Sequence, residues 1–528
     1  MKKNSLGKIL ALDKALGGVD QSDKRTYYFS LPEEVSRVPL TLDKAGFQAY
    51  LVGGCVRDLI LGRKPKDWDI TTDAVPEQII ALFEKTFYEN NYGTVGIVNE
   101  GSENLDETLK IIEVTPFRIE SEYSDNRRPN SVIFSKKLED DLKRRDFTIN
   151  AIALRIERGE QGNKGGSKFT CNITDPHGGR EDLANKLVRT VGNADERFKE
   201  DALRLLRAIR IATELGFTID TATEKAILAN SALLKNISTE RIREEFSRIL
   251  LSKEPMKGIV MAKNMGLLKY IAPELERGIG VTQTQAHSYD VWEHLLRSLQ
   301  HAADKGWPLD VRLAALFHDI AKPETKRWSE EKKENTFYGH DVVGAKVTRT
   351  ALTRLKFPKD TVEKVANLVR WHMFFSDTEQ ISLSAVRRMI VNVGKENIWD
   401  LMNVRICDRI GTGRPKENPY RLRKYHSMVE EALRDPISVG MLKINGEVLM
   451  KNLNIMPGPK IGFILHALLE EVLENPTLNT EEYLQKKAAE LALLGDEVLH
   501  KMGMQGKEKK ALAEQESLEE IRKKHWVK

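Results

Sequence analysis

Two periodicities divide the chain. Between residue 31 and about residue 155, short apolar runs mix with alternating stretches. Residues 49–52 read as a short apolar strand and 56–61 as one amphipathic helical piece, while 67–72 and 109–115 alternate as strands do. From about residue 180 apolar positions recur at spacings of three and four, as in 201–215, 240–251 and 311–317, which predicts helices almost without relief. The pattern implies an α/β N-terminal head, a small mixed sheet with helices, followed by an all-α remainder. No repeat of fixed period is present. Residues 1–30 lack a period and read as a loosely ordered extension. The Gly- and Lys-rich residues 159–168 read as a surface loop, and the charged residues 506–528 as a frayed helix.

Composition narrows this picture. A length of 528 residues suggests three or four domains, and 41% hydrophobic with 30% charged residues describes a folded chain. Lys plus Arg number 83 against 78 for Asp plus Glu, a net +5, which excludes a basic tail protein but leaves room for a local basic face for nucleic acid. Cys55, Cys171 and Cys407 are far apart, so neither a disulfide framework nor a cysteine zinc site is expected, and a reducing compartment fits. The apolar stretch after Lys2 and Lys3 is broken by Lys8, Asp13 and Lys14, so it does not read as a signal peptide. Residues 461–473 are too short to span a bilayer and carry Glu470 and Glu471. A cytoplasmic protein with no membrane partner is expected.

The densest chemistry lies in Leu-Val-Gly-Gly-Cys-Val-Arg-Asp over 51–58, followed by Asp-Trp-Asp-Ile-Thr over 67–71. If 67–70 is a strand, Asp67 and Asp69 point to one face. Paired carboxylates repel unless a cation sits between them, and hard oxygen ligands suit Mg²⁺ with substrate phosphate. Gly53 and Gly54 end one strand and open a helix, where backbone N–H groups approach phosphate closely. Arg57, one turn in, faces triphosphate charge. The chemistry inferred is metal-assisted nucleotidyl transfer.

These segments resemble the head of the class II tRNA nucleotidyltransferases and bacterial poly(A) polymerases, and the resemblance runs from about Tyr50 to about Asn479. It implies a third acidic group or general base at Glu113, in Ile-Ile-Glu-Val-Thr-Pro-Phe-Arg over 111–118. It also implies a ribose-reading motif over 144–151, Arg-Arg-Asp-Phe-Thr-Ile-Asn-Ala, in which Asp146 accepts from a 2′-hydroxyl and Arg145 binds phosphate.

Nucleotide choice is expected from residues 200–210. Asp201, Arg204 and Arg207 lie three apart, on one stripe of a helix. A carboxylate accepts from an exocyclic amine and Arg donates to a ring nitrogen or carbonyl, a pattern that cytosine and adenine satisfy and guanine and uracil do not. The resemblance extends this nucleotide-binding set to Arg210. The turn over 175–183 is expected to be structural, and the helix opening at Ser238 to brace the nucleotide-selecting helix.

A second series runs through the helical half: His294, His318 with Asp319, His340, His372 and Asp408. It resembles the HD phosphohydrolases, whose signature is H…HD…D, and the extra histidines resemble their two-metal variants. Imidazole with carboxylate suits a transition metal such as Ni²⁺, Co²⁺ or Mn²⁺. His287 and His301 lie close enough in sequence to contest the first ligand position. Pro-Gly-Pro-Lys over 457–460 is a candidate backbone-phosphate seat, in a region that the resemblance assigns to gripping tRNA.

The resemblance divides the chain into the extension 1–30, a nucleotidyltransferase head 31–175, a helical neck 176–275, an HD-type domain 276–415 and a tRNA-binding region 416–528. It implies a CCA-adding enzyme using CTP, ATP and tRNA. A poly(A) polymerase or A-adding enzyme, and a chain acting mainly as an HD phosphohydrolase, remain alternatives. The stretch Glu122-Tyr-Ser-Asp-Asn-Arg-Arg-Pro129 resembles the loop needed for adding the terminal A, which weighs against a CC-only enzyme.

Overall fold

The computed structural model describes residues 26–88, 93–99, 105–120, 132–160, 167–284, 287–374 and 381–499. The expectations for residues 1–25, 122–129 and 506–528 fall outside these residues, as does the middle of 159–168. The chain divides into two compact units, Met1–Arg277 with Ala351–Phe357, and Gly278–Thr350 with Pro358–Lys528.

The first unit is built on a mixed eight-stranded sheet. Its strands are β1 (Thr26–Leu31), β2 (Ala49–Val52), β3 (Asp69–Thr72), β4 (Thr86–Tyr88), β5 (Val95–Val98), β6 (Ile111–Pro116), β7 (Ala153–Glu160) and β8 (Ser167–Thr174). Their order is β1-β8-β7-β2-β3-β6-β5-β4, and only β3 and β6 run parallel. Every residue of β2 is buried, as befits a central strand covered on both faces. β6 alternates instead, with Ile112 and Val114 in the core. Two expectations change here. The end of the N-terminal extension is an ordered edge strand, β1, paired with β8. The stretch 159–168 joins β7 to β8, and its two ends belong to those strands, with Lys168 opposite Glu160.

Four helices of this unit bear on its chemistry: α1 (Gly54–Ile60), α2 (Ala194–Glu200), α3 (Leu203–Leu215) and α4 (Thr239–Leu251). The helix expected from residue 201 starts later, because Asp201 is extended (φ −134°, ψ 104°) and separates α2 from α3. α3 ends where Gly216 turns left-handed at φ 71°.

The second unit is helical: α5 (Val291–Asp304), α6 (Leu309–Phe317), α7 (His340–Arg354), α8 (Lys359–Trp371) and α9 (Ile398–Gly411), with further helices up to Glu481–Ala492. The hairpin Arg327–Ser329/Glu334–Thr336 interrupts the helical texture. α5 lies tight against α9 at Gly411, where a Cβ would stand 2.2 Å from Ser298 Oγ and 2.8 Å from the His294 carbonyl oxygen.

Candidate active sites

In the first unit the phosphate turn and the carboxylates meet because β2 and β3 pair with Val52 opposite Asp69. Gly53 then turns at φ 82°, a conformation that L side chains rarely adopt. A Cβ on it would stand 3.2 Å from Asp69 Oδ2 and 3.1 Å from Arg145 Nη1, and one on Gly54 would stand 3.6 Å from Asp67 Oδ1. The glycines thus leave a cradle that carboxylates and guanidinium share. Asp67 departs from expectation: β3 begins at Asp69, and Asp67 sits in the bend before it. The bend still presents its carboxylate to the same turn. Glu113 is opposite Asp69 in the parallel pairing of β3 with β6, so the two share a face of the sheet. The donors are all carboxylate oxygens around a space that the glycines keep open, which fits Mg²⁺.

A pocket of about 230 Å³ gathers Gly54, Arg57, Asp67, Asp69, Arg207 and Arg210. Arg57 is held by Asp58 (Nε to Oδ1, 3.0 Å) and donates to Asn150 Oδ1 at 2.8 Å. Arg145 donates to Asp141 Oδ2 through Nη2 at 3.1 Å. Asp146 accepts from Arg207 Nε (2.9 Å) and Nη2 (2.6 Å) and from Asn150 Nδ2 (3.1 Å). Burial pushes the Asp146 carboxyl up, but the Arg207 guanidinium outweighs burial and holds it well below the usual carboxylate range. Arg210 is buried between Glu245 and Glu214.

Asp201 and Arg204 are arranged differently from the expected helical stripe. Asp201 Oδ1 accepts from the Leu203 amide at 3.0 Å and Oδ2 from Arg241 at 3.0 Å. Arg204 is buried and donates to Glu200, to the Arg197 carbonyl (3.2 Å) and to the Arg144 carbonyl (3.0 Å). Asn150, Arg63, Lys66, Glu214 and Arg248 also line the pocket and were not singled out from sequence. Asn150 lies within the 144–151 motif and Lys66 is adjacent to Asp67; the other three carried no local signal. Ser238 stands before α4 without a side-chain cap bond. Asp175 accepts from the Gly179 and Arg180 amides, as a structural turn does.

In the second unit the histidine series converges from helix termini. His294 lies in the first turn of α5, His340 opens α7, His318 and His372 follow the ends of α6 and α8, and Asp408 is in the last turn of α9. His294 Nε2 lies 2.9 Å from His318 Nε2, 3.0 Å from Asp319 Oδ2 and 3.5 Å from Asp408 Oδ1. The other oxygen, Asp319 Oδ1, lies 3.2 Å from His340 Nε2 and 3.5 Å from His372 Nε2. Asp319 therefore joins two buried donor groups, each with its atoms within 4.8 Å of one another.

Backbone carbonyls orient these rings. Ala315, Phe337 and Val369 accept from the Nδ1 of His318, His340 and His372 at 2.9, 2.6 and 2.6 Å, leaving each Nε2 lone pair turned inward. His340 Nε2, His372 Nε2 and Asp319 Oδ1 are buried with no hydrogen-bond partner, an arrangement that fits a cation among them. Burial alone would expel a proton from His318, but the Asp319 and Asp408 carboxylates lift it to about 10, so a cation bound at Nε2 would take the place of that proton.

His287 bonds Thr284 (2.9 Å) and His301 lies beside Glu417, while His294 stands with His318, Asp319 and Asp408. Lys322, unassigned from sequence although it closes the stretch around His-Asp, reaches Asp319 Oδ2 at 2.6 Å. Asp319, His340 and Asp408 line a cavity of about 990 Å³. Further along, Lys460 donates to the Leu494 carbonyl at 3.2 Å, in the bend that follows the helix Glu481–Ala492.

Comparison with known proteins follows the same division. Family profiles described as poly A polymerase head domain, probable RNA and SrmB-binding site of polymerase A, and HD domain match residues 49–189, 216–279 and 291–409. The chain is 32% identical over 449 residues to a CCA-adding enzyme of Geobacillus thermodenitrificans, covering 84% of this chain and 92% of that one. It is also 32% identical over 432 residues to an A-adding tRNA nucleotidyltransferase of Deinococcus radiodurans, covering 80% and 91%. The Bacillus stearothermophilus CCA-adding enzyme, solved in complex with CTP, superposes with a TM-score of 0.62 at 27% identity, covering 87% of this chain and 98% of that one.

Proposed function

This chain belongs to the CCA-adding tRNA nucleotidyltransferase family, whose head is shared with the poly(A) polymerases, and on that premise we propose that it transfers CMP and AMP from CTP and ATP to the 3′ end of tRNA, releasing pyrophosphate. The observation that carries the reading is the pair Asp67 and Asp69 set against the Gly53–Gly54 turn, in one pocket with Arg57, Arg207 and Arg210.

Asp67 and Asp69 would hold Mg²⁺, with Glu113 beside Asp69 as the third acidic group or general base. Bound there, Mg²⁺ supplies charge neutralisation at the reacting phosphate and its leaving pyrophosphate. Gly53, Gly54, Arg57 and Arg145 meet the triphosphate, and Asp146 reads the ribose 2′-hydroxyl. Asp201 and Arg204 choose the base, and Arg207 and Arg210 complete the nucleotide site. Residues 31–175 act as head, 176–275 as neck, 276–415 as HD-type domain and 416–528 as tRNA grip.

The buried donors around Asp319 support a second activity, hydrolysis of phosphate esters with a transition metal such as Ni²⁺, Co²⁺ or Mn²⁺ held by His294, His318, Asp319, His340, His372 and Asp408. The activity belongs in the cytoplasm, and no helix among the described residues is long and apolar enough to cross a membrane.

Asp69→Asn tests the site. It should lower nucleotide addition by more than about 1000-fold, since a metal at the reacting phosphate contributes several kcal/mol. Its affinity for tRNA should stay near wild type. Substantial addition by the variant would remove the carboxylate pair from the chemistry.

A further inference from the structure

The segment between α1 and the carboxylates, Leu-Gly-Arg-Lys-Pro-Lys over 61–66, places Arg63 and Lys66 on the wall of the pocket that holds Asp67 and Asp69. Across it stands Arg248 of α4. The inner cations of this pocket are committed: Arg57 to Asp58 and Asn150, Arg207 to Asp146, and Arg210 to Glu245 and Glu214. The outer ones are more exposed to solvent. The Lys66 side chain is 73% exposed, and its nearest carboxylate is Glu214 at 3.9 Å. The Arg248 side chain is 44% exposed and meets the same Glu214 at 3.1 Å. Arg63 is exposed, and among the described residues it pairs with no carboxylate. Glu214 thus gathers Lys66 and Arg248 as well as the buried Arg210, and Arg63 adds a further exposed cation, which leaves a positive surplus beside the acidic pair.

We infer that Arg63 and Lys66, flanked by Arg248, seat the phosphodiester backbone of the RNA end that receives the nucleotide. The inference rests on the nucleotidyltransferase reading and adds a second anion subsite to it. The triphosphate of a mononucleotide is met at the glycine turn, by backbone N–H groups and Arg57. A polynucleotide must instead bring its 3′-hydroxyl to Asp67 and Asp69 while its preceding phosphates trail toward solvent. Exposed cations next to the carboxylates suit that polyanion, whose binding is driven by counterion release. Glu214 keeps Arg248 and Lys66 gathered without neutralising the group.

The test uses the full chain, a tRNA ending at its discriminator base, and CTP. For Arg63→Ala/Lys66→Ala the KM for tRNA should rise about tenfold at physiological salt, and the log–log salt dependence should flatten by about 1.4, at about 0.7 per lost contact to a single strand. The KM for CTP and the inhibition by inorganic pyrophosphate should not change. The charge-preserving pair Arg63→Lys/Lys66→Arg should restore the tRNA KM. A raised CTP KM or weakened pyrophosphate inhibition with an unchanged tRNA KM would overturn the inference in favour of a triphosphate contact. A variant indistinguishable from wild type would overturn it as well. These failures differ from failure of the underlying reading, in which wild type itself does not extend the RNA.

Discussion

In the proposed reading Asp201 has two jobs that pull in different directions. Its carboxylate caps α3 through the Leu203 amide and pairs with Arg241, yet base selection asks it to accept from an exocyclic amine. Asp201→Ala should therefore cost about 1 kcal/mol of stability as a lost cap. It should also raise misincorporation of U and G about tenfold relative to C and A, the size of one lost base-edge contact. Arg204→Ala should act in the same direction. Sequencing of the extended RNA ends separates the two effects: reduced activity with unchanged base choice would make this junction purely structural. Single residues were legible where chemistry and spacing coincide, as in the glycine turn and the carboxylates that follow it. Partners distant in sequence were not. Arg207 holds Asp146 across 61 positions, and Glu245 reaches Arg210 from another helix, so no local pattern marks either pair.

At the scale of elements, helix ends assemble the histidine site. Rings at the termini of α6, α7 and α8 are fixed by the carbonyl three residues earlier, and Asp319 joins the two donor groups through its two oxygens. Asp319→Ala should lower hydrolysis of bis-p-nitrophenyl phosphate with Ni²⁺, Co²⁺ or Mn²⁺ by more than about 100-fold, since a shared ligand matters at least as much as an outer-shell one. CTP and ATP addition with Mg²⁺ should persist. Loss of both activities would mean that the pair chiefly holds the fold. Of these helices only α6 was marked individually by three-and-four spacing, over 311–317. The break before α3 was not, because apolar residues continue through Ala202 and Leu203 and hide the extended backbone at Asp201. The edge strand β1 was also hidden, since only its pairing with β8 orders a segment without a periodic signal of its own.

Over the whole molecule, two donor chemistries occupy separate compact units. The first offers carboxylate oxygens beside an arginine-lined pocket, and the second offers buried imidazoles around one aspartate. The contrast was readable from residue type alone, since hard oxygen donors and borderline nitrogen donors prefer different ions. The order of the sheet was not, because β7 and β8 insert between β1 and β2 from more than a hundred residues downstream. The proposed work of the first unit's site is the sequential addition of C, C and A. Purified chain, tRNA lacking its CCA end, and labelled CTP or ATP supplied singly and together decide it on one gel. Two additions are expected with CTP alone, and a third, single addition once ATP joins it. A long ladder with ATP alone, or no incorporation of CTP, would contradict it.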